Sequence, residues 1–299
     1  MAPGSESVRT GLLSPSGAPV FGLSPDGPDA ATTVASLVDR SVDVVNIFKS
    51  WMTAFPADEL TAITDGGSLP AITWEPWNPG RGSVQPAFSL TRIVAGAFDD
   101  YLRTWARRVA DWPGTLALRF AHEMNGGWYP WGVTTNGNNP ADYVAAYRHV
   151  HDLFRRAGAT NVLWIWCPNV VLPRSEPLEA MYPGDQHVDL IGLDGYNGGT
   201  DVPGRGGWLS PEQIFQPTLA ALAGIAPATR VLLNETASTE QGGSKGHWID
   251  QLVGYVQRES RLAGFVWFNV HKDTDWRIQS SAESIAAMRS ALERYPRPT

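Results

Sequence analysis

The chain has 299 residues, 43% of them apolar, and a formal net charge of −7. No basic stripe is present, which argues against a nucleic-acid partner. No apolar run approaches the ~18 residues of a membrane span. The single cysteine, Cys167, rules out an internal disulfide, and its place in "NVLWIWCPN" makes it an inert core thiol. Thirteen tryptophans exceed what a core alone would use, and 30 glycines with 23 prolines suit many loops.

In chain order, the polar start "MAPGSESVRTG" lacks the charged and apolar parts of a signal peptide. Strands are predicted at 19–24, 42–51, 70–77 ("PAITWEPW") and 115–124 ("TLALRFAHEM"). Residues 90–112, between the third and fourth, carry apolar side chains at helical spacing. A helix over 139–159 opens on Asn-Pro and closes on Gly158. Strands follow at 161–169 and 188–197, then a helix from Ser210 with Pro211 at its first position. Strands at 230–238 ("RVLLNETAS") and 264–271 and a helix over 281–295 end the chain. Alternating strands and helices imply parallel strands with right-handed crossovers. Eight such units without a glycine fingerprint predict a single-domain (β/α)8 TIM barrel over 1–299, in preference to an open doubly wound sheet.

In such barrels the site lies at the carboxyl ends of the strands. Glu123 ends the fourth strand and Glu235 lies near the end of the seventh. Side chains alternate along a strand. Bulky Leu118 and Phe120 suit the outer face, so Arg119 and Glu123 are expected to face inward. Val231, Leu233 and Glu235 are expected to share a face, as are Asp194 with Tyr196, and Trp164 with Trp166. An inward carboxylate is costly unless it is paired, hydrogen-bonded or working. One alternative is therefore a barrel-mouth salt bridge, for example with Arg119. The other is catalysis: two converging carboxyls are what glycosidic cleavage needs, one protonated and one ionised. Trp128 and Trp131 follow Glu123, and Trp51, Trp74, Trp77, Tyr196, Trp267 and Trp276 also fall near strand ends, where indoles can stack on sugar rings. Trp51 and Trp77 also suit simple packing. By alternation Trp74 and Glu75 point opposite ways, and Trp74 is taken to face the sugar. Trp166 is counted with the sugar-facing aromatics.

"HEMNGGWYPWG" together with the seventh-strand Glu resembles glycoside hydrolase family 26, over almost the whole chain. The resemblance implies a retaining barrel enzyme with Glu123 as acid/base and Glu235 as nucleophile. It implies that His122, Asn125, Trp128, Tyr196 and Trp267 line the cleft, that His122 and Asp194 position the pair and the sugar hydroxyls, and that Tyr196 aims the nucleophile. "TWEPW", "DGYN" and "DTDWRI" look like the branch that cuts β-1,3-1,4-glucan; β-1,4-mannan and β-1,3-xylan are the alternatives. A secreted monomer acting on a β-linked polysaccharide, without cofactor or metal, is the expectation. A non-catalytic carbohydrate-binding barrel is the reading from another class. "GGSKG" at 242–246 lacks the strand that a serine-hydrolase elbow needs, so Ser244 reads as a helix N-cap. His149 and His151, two apart on a helix, point to different faces.

Overall fold

The computed structural model describes residues 3–27, 29–171, 176–202 and 206–298. Eight parallel strands close into a barrel in sequence order. They are β1 (Val20–Pro25), β2 (Val44–Ser50), β3 (Leu69–Glu75), β4 (Leu116–Phe120), β5 (Val162–Trp166), β6 (Leu190–Asn197), β7 (Val231–Ser238) and β8 (Leu262–Asn269). Around them run α1 (Pro3–Leu13), α2 (Ala30–Val38), α3 (Ala57–Asp65), α4 (Leu90–Val94), α5 (Asp99–Asp111), α6 (Pro140–Arg156), α7 (Pro211–Ile225), α8 (Lys245–Arg258) and α9 (Ala282–Glu293). No described helix is long and apolar enough to cross a membrane.

Local chemistry starts the helices. Asn139 and Asp142 form a reciprocal capping box with Pro140 at the first position of α6. Ser210 and Gln213 do the same for α7, and Ser244 caps α8 as expected. The single helix expected over 90–112 is instead two, α4 and α5, parted at Gly96, whose φ of +81° ends the first. The polar opening hides α1, a helix that packs Val8 and Leu12 against the barrel interior. Arg230 holds its carboxyl end through the carbonyls of Gly11, Ser14 and Gly17.

Alternation sorts the barrel into two cores. Val20, Val44, Leu69, Ala71, Ala117, Leu163, Ile165, Leu190, Leu232 and Val266 fill the interior. The bulkier residues on the opposite faces, such as Ile72, Trp74, Leu118, Phe120, Trp164 and Phe265, pack under the helices. Above the inner apolar layer lies a polar one. Asn46 donates to Ser24 Oγ, Thr73 donates to Asn46 Oδ1, and Arg119 Nε donates to Thr73 Oγ1 across 2.9 Å. These bonds join β1 to β4 through side chains that would each be costly to bury alone.

Candidate active site

Arg119 is the hub of the polar layer. It is fully buried, lies 2.6 Å from Asp194 Oδ2, and pairs with Glu235 Oε1. Burial opposes its charge, but Asp194 and Glu235 outweigh that and hold its pKa well above the usual value. The Tyr196 hydroxyl donates to the other oxygen of Glu235. Arg119 and Tyr196 thus hold one oxygen each and fix the direction of the carboxylate. The expected salt bridge to Arg119 is thus present, and it is made by Glu235.

Glu235 reaches this position through an irregularity. Leu232 packs in the barrel interior and Leu233 outside it, so strict alternation would send residue 234 inward. The register with β6 shifts, however: Leu193 pairs with Leu233 and Asp194 with Glu235. The extra residue, Asn234, turns Glu235 back to the interior. The expectation that Val231, Leu233 and Glu235 share one face is therefore corrected.

Glu123 also arrives by a departure from the strand. β4 stops at Phe120, and Ala121 and Glu123 take left-handed φ values of +47° and +52°. Such conformations cost non-glycine residues roughly 1–2 kcal/mol and persist where the surroundings impose them. Here Ala121 N donates to Trp74 O, Glu123 N to Cys167 O at 2.7 Å, and Trp131 Nε1 to His122 O at 2.6 Å. The Glu123 carboxyl accepts from Asn169 Nδ2 and from Trp128 Nε1, each at 2.6 Å. Gly126 permits the second bond, because a Cβ there would sit 2.3 Å from the Trp128 ring. Burial and then the charge of Glu235 raise the Glu123 pKa, while the Asn169 and Trp128 bonds oppose the rise.

The two glutamates open onto a cleft of about 640 Å³ whose wall includes Phe48, Glu75, Trp77, Trp128, Tyr129, Tyr196, Phe268, Lys272 and Trp276. Trp128, 42% exposed, presents the most open aromatic face. Three expected sugar contacts lie elsewhere. Trp74 is buried against Trp51, Tyr101, Trp105, Phe120 and Phe154, on the outer face with Ile72. Trp166 packs on Tyr182, and Trp267 packs on Trp248 with its Nε1 bonded to Trp276 O. Glu75, not Trp74, faces the cleft, and so does Trp77. Trp51 is packing, stacked near Phe120, and Trp131 is buried against Tyr129 and His122.

His122, Asn125 and Asp194 lie beneath the cleft surface. His122 is wholly buried, 3.9 Å from Glu235 Oε1 and edge-on to Phe48; burial, then Arg119, lowers its pKa and keeps it neutral. Asn125 exchanges hydrogen bonds with the backbone of Asn169, which in turn holds Glu123. Sequence reasoning missed Asn169, Phe48 and Phe268. Phe48 was findable: it continues the inward series Val44, Asn46. The Cys167 thiol is buried, as expected of a core thiol, beside Arg119 and Asp194, and burial pushes its pKa up.

Two groups of side chains have ligand atoms within 4.8 Å of one another among the described residues. In the first, Asp194 and Glu235 already pair with the Arg119 guanidinium, a cation in its own right, and His122 lies 3.9 Å from Glu235 Oε1. His151, Asp152 and His187 lie on α6 and the turn before β6, away from the cleft. His149 points elsewhere, to Asp99.

A closed parallel barrel carrying two differently held carboxyls in an aromatic cleft at its strand ends is a glycoside-hydrolase architecture. Residues 93–259, more than half of the chain, match glycosyl hydrolase family 26, and the chain belongs to that family. It is 36% identical over 271 residues to Endoglucanase H of Acetivibrio thermocellus, covering 88% of this chain and 29% of that protein. It is 29% identical over 172 residues to a mannan endo-1,4-β-mannosidase of Bifidobacterium adolescentis, covering 52% of this chain and 17% of that one. The chain thus spans less than a third of either relative. An endo-β-1,4-mannanase double mutant from Cellulomonas fimi shares the fold, with a TM-score of 0.71 at 18% identity over 96% of this chain and 74% of that one.

Proposed function

We propose that the chain is an endo-acting, retaining β-glycanase with Glu235 as nucleophile and Glu123 as acid/base. One observation carries this reading: two carboxyls open onto the same cleft in opposite settings. Arg119 pairs with one oxygen of Glu235 and the Tyr196 hydroxyl donates to the other, which aims the carboxyl for attack. Burial and then Glu235 raise the Glu123 pKa, toward the form that donates. Glu235 bonds to the anomeric carbon as that carbon's bond to the leaving oxygen breaks, and the Glu123 proton goes to that oxygen. Water then attacks the glycosyl–enzyme ester, giving its proton to Glu123 and freeing Glu235. Trp128, bonded to Glu123 and half open to the cleft, is placed to stack on a sugar beside the scissile bond.

Mixed-linkage β-1,3-1,4-glucan is the substrate we favour. The "TWEPW" and "DTDWRI" segments support it, as does the long alignment with an endoglucanase. Such a polymer would be met outside the cell by a secreted monomer. The test is reducing-end release from mixed-linkage β-glucan and, in parallel, from linear β-mannan. Release from glucan by the wild type, and none by Glu235→Ala that still binds, is the expected result. Release from mannan alone would overturn the substrate, and turnover retained by Glu235→Ala would overturn the mechanism.

A further inference from the structure

The cleft contains a third carboxyl that this two-glutamate mechanism does not use. Glu75 ends β3 and lines the cavity with Glu123 and Glu235. Alternation aims it inward: Ile72 and Trp74 pack outside, while Thr73 bonds Arg119 inside. One oxygen, Oε2, accepts from Trp77 Nε1 at 3.1 Å. The other has no hydrogen-bonding partner among the described residues, and no described cation lies within ion-pairing distance of either. A buried carboxylate with one neutral donor is poorly compensated, whereas a carboxylic acid in the same place needs only an acceptor.

We propose that Glu75 takes part in substrate binding as a neutral acid, Oε2 accepting from Trp77 and the free oxygen donating O–H to an oxygen of a β-linked sugar. This rests on the glycanase reading of the cleft. The charged groups around Glu75 come from four elements. Glu235 on β7 disfavours its ionisation; Arg119 on β4 and Lys272 after β8 favour it. Tyr129, after β4, feels its charge. Burial is the largest influence, and the pKa is raised to about 7. At mildly acid pH the group is therefore a donor; above neutrality it becomes a buried anion, repelling sugar oxygens instead of bonding them.

The consequence is a pH-dependent affinity that belongs to Glu75 and not to the catalytic pair. Calorimetric titration separates the two. The background is Glu123→Gln, which removes the acid's own titration and leaves Glu235 with its Arg119 and Tyr196 partners. The probe is a mixed-linkage β-glucan oligosaccharide, or a manno-oligosaccharide if the wild type cuts only mannan. Affinity is expected to fall roughly 30-fold between pH 6 and pH 8.5, because only the protonated form binds well. Adding Glu75→Gln, a neutral donor at every pH, should flatten that dependence and retain the affinity seen at pH 6. Adding Glu75→Ala should flatten it at a weaker level. A profile that stays steep with Gln, one that is flat with Glu75 intact, or Gln binding no better than Ala, would overturn the proposal. Wild-type turnover on neither polymer would instead defeat the glycanase reading.

Discussion

Trp128 Nε1 donates to Glu123 Oε2 across 2.6 Å, so the most exposed aromatic of the cleft is bonded to the buried carboxyl. This bond favours ionised Glu123, against the burial that favours the acid. Under the proposed mechanism Glu123 must be protonated when the leaving group departs. Turnover is then retained below the raised Glu123 pKa and lost as pH rises through it. Trp128→Phe keeps a stacking face and removes the donor, so the alkaline limb of kcat should move to higher pH. Trp128→Ala should also raise KM, by about tenfold for one lost aromatic contact. An unmoved limb in Trp128→Phe would show that the bond does not set the acid.

Asn169→Ala removes the other donor to Glu123 and should move the same limb in the same direction. Asn169 does not line the cavity, so KM should change little. A rise in KM with an unshifted kcat profile would point to collapse of the loop rather than to tuning of the acid.

How much of this site could be read from the sequence depended on where the backbone stays regular. On β4 the bulk of Leu118 and Phe120 correctly sent Arg119 inward. The same rule, applied to Ile72 and Trp74, would have sent Trp74 outward and Glu75 into the cleft; the assumption that indoles seek sugar overrode it. Trp166 and Trp267 failed for the same reason, since a large ring also suits the layer beneath the helices. The Asn234 bulge and the left-handed Ala121 and Glu123 carry no composition signal. Position and family resemblance put both glutamates at the barrel mouth, where they line the cleft, although alternation did not deliver them. Asn169 was hidden because its role depends on a contact between loops after β4 and β5.

Arg119→Met should be the most destabilising change in the barrel interior. It leaves Asp194 and Glu235 buried without the cation that both contact. Removing one partner of a buried ion pair costs about 3–5 kcal/mol. Denaturant unfolding at pH 7 checks this. The loss should shrink in Arg119→Met/Asp194→Asn, where one stranded charge is also removed. An unchanged loss in the double variant would place the cost in packing rather than charge.

Trp74→Ala and Trp128→Ala should divide stability from function. Trp74 is enclosed by rings from β2, β4, α5 and α6 and their loops, so its loss opens a large cavity and should cost about 3–5 kcal/mol. The folded fraction should keep its KM. Trp128→Ala should leave the unfolding midpoint nearly unchanged while KM rises. A higher KM for folded Trp74→Ala would reverse the assignment of Trp74 to the outer layer.

Glu75 also gives the fold a pH signature that is independent of substrate. Its pKa rises from an ordinary 4.5 to about 7 on folding. A carboxyl shifted upward binds its proton more tightly folded than unfolded. Its stabilising contribution is complete below about 4.5 and is lost as pH rises through about 7. The difference corresponds to about 3 kcal/mol at most, at 1.36 kcal/mol per unit. Glu75→Gln does not titrate, so it should match the wild type near pH 4 and exceed its stability increasingly toward pH 8. Glu123 persists in both proteins, and Glu75 is not among the causes of its upward shift, so that shift cancels in the comparison. Chemical denaturation across pH 4–8 measures this directly. Parallel curves for the two proteins would mean that Glu75 ionises in the fold as freely as in the unfolded chain, with Lys272 and Arg119 compensating its burial.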